Sequence, residues 1–273
     1  MKPPPEVSAY YEWFPEESRL SSGPFRLEFE RTKEIVARTL PEPPATILDV
    51  GGAAGTYSFW LAEEGYDVHL VDASPRLIEE ARKRCATAAV GLASLSVADA
   101  RSLPQGNEFA AVVLMMGPLY HLPSSSDRGL ALREAFRVLS PGGLAVIAAI
   151  SRYASTLDGL ARRRSLDPQF VRIRNRDLLD GQHRNDVRHP DYFTTAYFHR
   201  PEELQAEVEK SGFEQVRVLG VEGAGWMLSD FDERWSDEAL RRDMLDAARA
   251  LEAEPSVTGL SAHLLATGRK PDR

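Results

Sequence analysis

The stretch from Thr46 to Tyr57, TILDVGGAAGTY, constrains the fold more than any other part of the chain. Ile47, Leu48, Asp49 and Val50 read as a buried strand, and they run into Gly51, Gly52, Ala53, Ala54 and Gly55 before amphipathic residues resume. The pattern predicts a strand, a tight turn and a helix. Glycines at 51, 52 and 55 let the backbone turn sharply and approach a ligand where a Cβ would collide. A helix over about residues 55–64 then directs its free N–H groups and positive dipole end into the crevice, which suits a small anionic or zwitterionic ligand. A tight β–α turn of this kind also forms with no ligand. The dinucleotide spacing GxGxxG fails in both registers: counted from Gly51, the third and sixth places hold Ala53 and Thr56, and from Gly52 they hold Ala54 and Tyr57.

Three more apolar runs follow. YDVHLVDAS predicts a second strand ending at Asp72, about 20 residues past the glycine turn, the span of one β–α–β unit, so Asp72 emerges at the same sheet edge as the glycines. Ser74 and Pro75 then supply a cap and first position for a helix that buries Leu77, Ala81 and Cys85. LASLSVADARSLP predicts a third strand ending at Asp99, and FAAVVLM (Phe109 to Met115) a fourth, covered on both faces. The fourth opens into MGPLYHLPSSSD, where Tyr120 and His121 are the polar side chains on offer and Ser124 to Asp127 cap the next helix. SPGG (Ser140 to Gly143) turns into a fifth strand, LAVIAAI.

The acidic residue followed by GxGxG, here Asp49, Gly51, Ala53 and Gly55, resembles the first motif of class I S-adenosylmethionine-dependent methyltransferases, with Ala53 where the pattern has its middle glycine. Asp72 and Asp99 match the second and third landmarks of that family, and REAFRVLSPGGLAVI resembles its helix, turn and fifth strand. The resemblance implies an α/β fold: a Rossmann-like, seven-stranded, mostly parallel sheet with an antiparallel last strand (GLSAHLLATGRK) and helices on both faces. It implies S-adenosylmethionine as cofactor, with S-adenosylhomocysteine as product in the same site. Gly51, Gly52, Ala53 and Gly55 would form the turn, with Asp49 at the end of its strand. Asp72, with Ala73, would meet the ribose diol, and Asp99 the adenine amine, with the Ala100 N–H on a ring nitrogen. Met116 would pack against the adenine. His121, and beside it Tyr120, face the methyl; His121 is a candidate general base by its ordinary pKa, with loop packing as the competing role.

The aromatic N-terminal segment (residues 1–44) is expected to cap a methyltransferase domain spanning 45–273. By resemblance it closes over the cofactor, making Tyr10, Tyr11, Trp13 and Arg19 candidates for lining the site; plain core packing is the bland alternative for each. Residues 151–200 interrupt the β–α alternation and are expected to form a lid. Its arginines, Arg152, Arg162, Arg163, Arg164, Arg172, Arg174, Arg176, Arg184 and Arg188, suit an acidic substrate or simply a solvated helical face. Tyr192, Phe193, Tyr197 and His199 form an aromatic cluster, with Tyr197 and His199 candidates for substrate contact beside Arg19.

Composition narrows the remaining choices. The net charge of −8 disfavours nonspecific binding of nucleic acid, and the single cysteine, Cys85, excludes a disulfide framework or a cysteine zinc site. No metal site is expected, because histidines and carboxylates never converge at ligand spacing in the sequence. No apolar run reaches spanning length and the start MKPPPE lacks a signal-peptide core, so a cytoplasmic location without membrane insertion is expected. A small-molecule methyl acceptor, acidic or aromatic, is the leading expectation. RNA or protein methylation, and a regulatory protein that binds the cofactor without transferring its methyl group, are the alternatives. Oligomeric state is left open.

Overall fold

In the computed structural model, residues 5–13, 19–186, 189 and 191–272 are described, apart from the side chains of Ser8, Glu12 and Trp13. The Trp13 side chain and Arg188, both named above as candidates, lie outside the described residues.

The apolar runs form the centre of the molecule as parallel strands β1 (Thr46–Val50), β2 (Asp67–Asp72), β3 (Ser94–Val97), β4 (Ala110–Met115) and β5 (Leu139–Ser151), in the order β3-β2-β1-β4-β5. Alternate residues of β1, β2, β4 and β5 feed two cores. Leu48, Val50, Val113 and Met115 face helices α5 (Ser125–Val138) and α8 (Pro201–Lys210) on one side. Ile47, Val112, Leu114 and Val146 face α2 (Phe25–Ala37) and α3 (Thr56–Glu63) on the other. Burial on both faces explains why these strands read as continuous apolar runs rather than alternating ones. The last strand, β9 (His263–Arg269), lies antiparallel between β5 and β8 (Glu214–Gly220), completing the seven-stranded sheet.

The inserted segment adds two further strands, so the sheet has nine. Its helices α6 (Ala154–Ala161) and α7 (Pro168–Asp180) lead to a small hairpin, β6 (Gln182–His183) and β7 (Ala196–His199). β5 outruns β4, and β7 pairs in parallel with its last residues, Ile150 with Phe198 and Ser151 with His199. Because β9 occupies the other flank of β5, β7 takes the flank that β4 vacates beyond Met115. The insertion is therefore hydrogen-bonded into the sheet next to the β4 loop.

Some local features differ from the sequence reading. SPGG lies inside β5 as an irregularity: Leu139 already pairs with Ala110, the register shifts before Val112, and Gly142 takes φ +71° with its N–H on the Lys270 carbonyl. Ser124 stands at the N-cap of α5 without a side-chain bond to it, its hydroxyl meeting Ser126 at 2.6 Å instead. Ser74 does cap α4 (Pro75–Cys85), with Pro75 at its first position. Among the described residues no helix is long and apolar enough to cross a membrane.

Candidate active site

Each glycine of the turn is used for a separate reason. Gly51 has φ +73°, and a Cβ there would lie 2.4 Å from the ring of Pro118, the residue that opens the short turn Pro118–His121 after β4. Gly52 faces its own strand: a Cβ would sit 2.3 Å from Asp49 Oδ2. Gly55, at φ +85°, is the N-cap of α3. Ala53 is held at φ +53°, a left-handed conformation that costs a residue with a Cβ about 1 kcal/mol. Its N–H donates to Asp72 Oδ2 at 3.0 Å, which ties the turn to the end of β2. Ala53→Gly is accordingly expected to stabilise the fold by up to about 1 kcal/mol, a rise of about 2–4 °C in Tm by scanning calorimetry. An unchanged or lower Tm would show that the turn carries no strain there.

The three carboxylates emerge along one edge of the sheet. Asp49 is fully buried; its Oδ2 accepts from the Ser58 hydroxyl at 2.6 Å, while Oδ1 has no hydrogen-bond partner. Burial pushes its carboxyl up to about 6, the neighbouring Asp72 charge adding to the rise and Ser58 opposing it. A buried acceptor without a donor, in a cradle shaped by Gly51 and Gly52, fits a ligand that brings an ammonium or N–H group. Asp72 is oriented by two backbone donors, Ala53 N and Ser74 N (2.8 Å). Ala73 lies between them, and Met116 packs half-buried against the core beyond β4. Asp99 sits two residues past β3, with the buried Ala100 beside it, and its carboxylate accepts from Arg101 N, Nε and Nη2 at 2.9, 2.8 and 2.6 Å. Burial acts to raise the Asp99 pKa, and the Arg101 bonds more than reverse it. Any adenine contact to Asp99 is therefore shared with Arg101, a neighbour the sequence reading missed.

Helix α1 (Pro5–Trp13) spans this edge from flank to flank. Arg76, in the first turn of α4, donates to the Tyr11 carbonyl. On the other side the Thr194 and Thr195 hydroxyls donate to the Glu6 carbonyl (3.2 Å) and Glu6 Oε1 (3.3 Å). Between these ties the Tyr11 hydroxyl meets His121 Nε2 at 2.8 Å, and His121 Nδ1 lies 3.4 Å from the Thr195 carbonyl. A carbonyl only accepts, so Nδ1 carries the proton and Nε2 accepts from the phenol. Burial drives the His121 pKa down to about 4, with the Thr195 carbonyl working against the fall, so the ring is neutral at ordinary pH. Tyr10, Tyr120 and Phe193 close around it: the Tyr120 and Phe193 rings lie 4.7 and 5.6 Å from His121, and Tyr10 packs on Phe193 at 5.7 Å. The Tyr120 hydroxyl donates back to the Met116 carbonyl at 3.0 Å. Of the aromatic cluster expected near the lid, Phe193 is the member that reaches His121.

The other substrate candidates are built into different networks. Tyr197 lies under the Arg128 guanidinium, 3.6 Å from ring centre to Cζ, and His199 Nε2 bonds Glu207 at 3.2 Å, both toward α8. Arg19 is bidentate on Glu28 at 2.7 and 3.1 Å, with its guanidinium over Phe25. Glu28 in turn belongs to a cluster with Glu222 and His263, whose ligand-type atoms all lie within 4.8 Å of one another. Histidine and carboxylates that show no ligand spacing in the sequence are brought together here by α2, the second residue after β8 and the start of β9, across more than two hundred residues. Arg19 supplies positive charge to that cluster, and burial lowers the His263 pKa while the two glutamates more than reverse it. Arg162 and Arg164 pair with Asp158, and Arg152 with Glu203.

Comparison with known proteins agrees with this geometry. Residues 47–143 match a family described as a methyltransferase domain. A ubiquinone/menaquinone biosynthesis C-methyltransferase from Acidiphilium cryptum is 34% identical over 41% of this chain and 44% of its own length. For several such curated relatives the chain spans only about half of their length. A ubiquinone biosynthesis O-methyltransferase from Azorhizobium caulinodans is 30% identical over 73% of both chains. Among solved structures, a SAM-dependent methyltransferase from Methanosarcina mazei shares the fold, with a TM-score of 0.59 at 19% identity over 88% of this chain and 98% of that one. With an acidic strand end feeding a glycine turn, carboxylates at the next two strand ends, and a relative matched over most of its length, the chain belongs to the class I S-adenosylmethionine-dependent methyltransferase family.

Proposed function

We propose that the protein is a cytoplasmic enzyme that transfers a methyl group from S-adenosylmethionine to an O, N or C atom of a small, ring-bearing acceptor. The observation that carries this reading is the cover formed by α1, tied to Arg76 on one flank and to Thr194 and Thr195 on the other, with Tyr10, Tyr11, Tyr120 and Phe193 packed about a buried His121. Aromatic rings packed together under a covering helix suit a small, ring-bearing acceptor better than an RNA or a protein surface.

When bound, the cofactor supplies an electrophilic sulfonium methyl with a neutral thioether as leaving group. The chain supplies position and a proton acceptor. Asp72, fixed by Ala53 N and Ser74 N, would take the ribose hydroxyls, and the orphaned Asp49 Oδ1 would take the ammonium end. The aromatic cover excludes water and orients the acceptor ring. At His121 Nε2, the acceptor's O–H or N–H would replace the Tyr11 hydroxyl and hand over its proton; Nδ1–H, held on the Thr195 carbonyl, keeps the ring in the required tautomer.

With the His121 pKa at about 4, the base form persists well below neutrality. The rate kcat/KM is therefore expected to stay level from pH 8 down to about 5 and to fall only below that. A fall centred near 6.5 would mean a solvated histidine. His121→Ala should lower kcat by about 100-fold with cofactor affinity unchanged; equal rates would assign His121 to packing. Methyl-labelled cofactor offered with small phenols, aromatic acids and amines, and separately with RNA and protein, tests the acceptor class. Label in small molecules is the expected result. Label confined to RNA or protein would overturn it, and binding without turnover on any acceptor would favour a regulatory role.

A further inference from the structure

We infer that the outer face of the inserted segment is a docking surface for an anionic lipid bilayer. The most exposed large apolar side chains among the described residues, Leu160 (74%), Leu166 (86%) and Leu179 (81%), all belong to this segment. They sit on one closed unit. α6 and α7 meet where Gly159 faces Phe170, so near that a Cβ at 159 would lie 2.5 Å from the ring, and Leu166 is in the turn between them. On α7, Phe170, Ile173 and Asp177 face inward. Arg172, Arg176 and Leu179, spaced by four and three residues, share the opposite, exposed stripe.

Single exposed leucines need no explanation, but these are interleaved with cations. Between Ala154 and Asp180 stand six arginines and four aspartates, in a chain of net charge −8. Three of the aspartates are already engaged: Asp158 with Arg162 at 3.0 Å, Asp167 as the N-cap of α7, and Asp177 buried against His183 at 2.9 Å. Arg163, Arg172 and Arg176 are exposed and make no ion pair among the described residues. Leucines that enter the headgroup layer beside arginines that meet anionic lipid are the composition of a peripheral membrane face. Single-stranded nucleic acid is met by exposed aromatic platforms, and the exposed residues of α6 and α7 include none. The remainder of the chain is acidic in sum and is repelled by the same lipid, which favours an orientation with this face toward the bilayer. The segment also carries β7, hydrogen-bonded to β5 beside the His121 turn, so docking sets the covered edge of the sheet close to the leaflet.

Flotation of the full chain with phosphatidylcholine vesicles containing roughly one-third phosphatidylglycerol, and with phosphatidylcholine alone, tests the inference. The chain is expected to float with the anionic vesicles only, and to be released at about 0.5 M salt. Arg172→Glu/Arg176→Glu and Leu166→Asp/Leu179→Asp should each lower the bound fraction about tenfold, with circular dichroism and Tm unchanged. Chain left at the bottom of both gradients would overturn the inference, as would variants that float like the parent. A dimer seen by light scattering without vesicle binding, and lost in the leucine variant, would overturn it in favour of a second copy on this face. The readout involves no methyl transfer, so it fails or succeeds independently of the proposed activity.

Discussion

Arg128→Ala is expected to lower the unfolding free energy by about 3 kcal/mol, a fall in Tm of about 6–12 °C. Arg128 is almost wholly buried at the start of α5, and its guanidinium holds four things at once. It is bidentate on Glu207 of α8 at 2.5 and 2.8 Å, it donates to the Leu122 and Pro123 carbonyls at 3.1 and 2.9 Å, and it covers the Tyr197 ring. Those carbonyls directly follow His121, so the same side chain steadies the candidate base and the β7 strand beside it. Burial alone would raise the Glu207 pKa; Arg128 and His199 overcome it and bring the carboxyl down to about 2. The sign follows from linkage: this stability is present above the unfolded value near 4.5 and is lost as pH falls through the folded pKa. Urea unfolding should therefore show the variant weakened at pH 7, with a shallower acid limb than the parent. Arg128→Lys keeps the charge but not the fork, and should fall between the two. An unfolding free energy within about 0.5 kcal/mol of the parent would mean that the network contributes nothing net.

Gly52→Ala is expected to weaken cofactor binding about 100-fold and to cost the fold about 1–3 kcal/mol. The added methyl would lie 2.3 Å from Asp49 Oδ2 and 2.5 Å from Leu70 Cδ1. Asp49 has little room to withdraw, being fully buried with Oδ2 on Ser58, so the backbone must move and carry Ala53 N away from Asp72. Calorimetric titration and thermal unfolding on the same sample separate the two effects. Parent-like affinity would show that the ligand does not use this turn.

The difference between Gly52 and Ala53 marks what was legible in the sequence. Glycines, acidic strand ends and apolar runs are local signals, because each follows from backbone sterics or burial within one β–α unit. They disclosed the sheet, its edge and the three carboxylates. What lay beyond reach depends on contacts between distant elements. The capture of Arg101 between Asp99 and Asp127 requires α5 to lie beside β3's loop. Tyr11 meeting His121 joins residues 110 positions apart, and the convergence of Glu28, Glu222 and His263 joins three elements with no common period. Tyr197 and His199 carry the residue types of a substrate site, yet β7's pairing with β5 directs them to α8. Local patterning also misread SPGG: a turn signal inside a strand is satisfied by a bulge as well as by a break.

The proposed activity requires that the glycine turn and Asp72 bind S-adenosylmethionine. Isothermal titration of the parent chain and of Asp72→Asn with S-adenosylmethionine and S-adenosylhomocysteine tests it directly, with nicotinamide dinucleotides as controls. One site of micromolar affinity is expected for both sulfur ligands, about tenfold or more weaker in the variant because a charged acceptor is lost, with no heat from the dinucleotides. Absence of binding by the parent, or equal affinity in parent and variant, would contradict it.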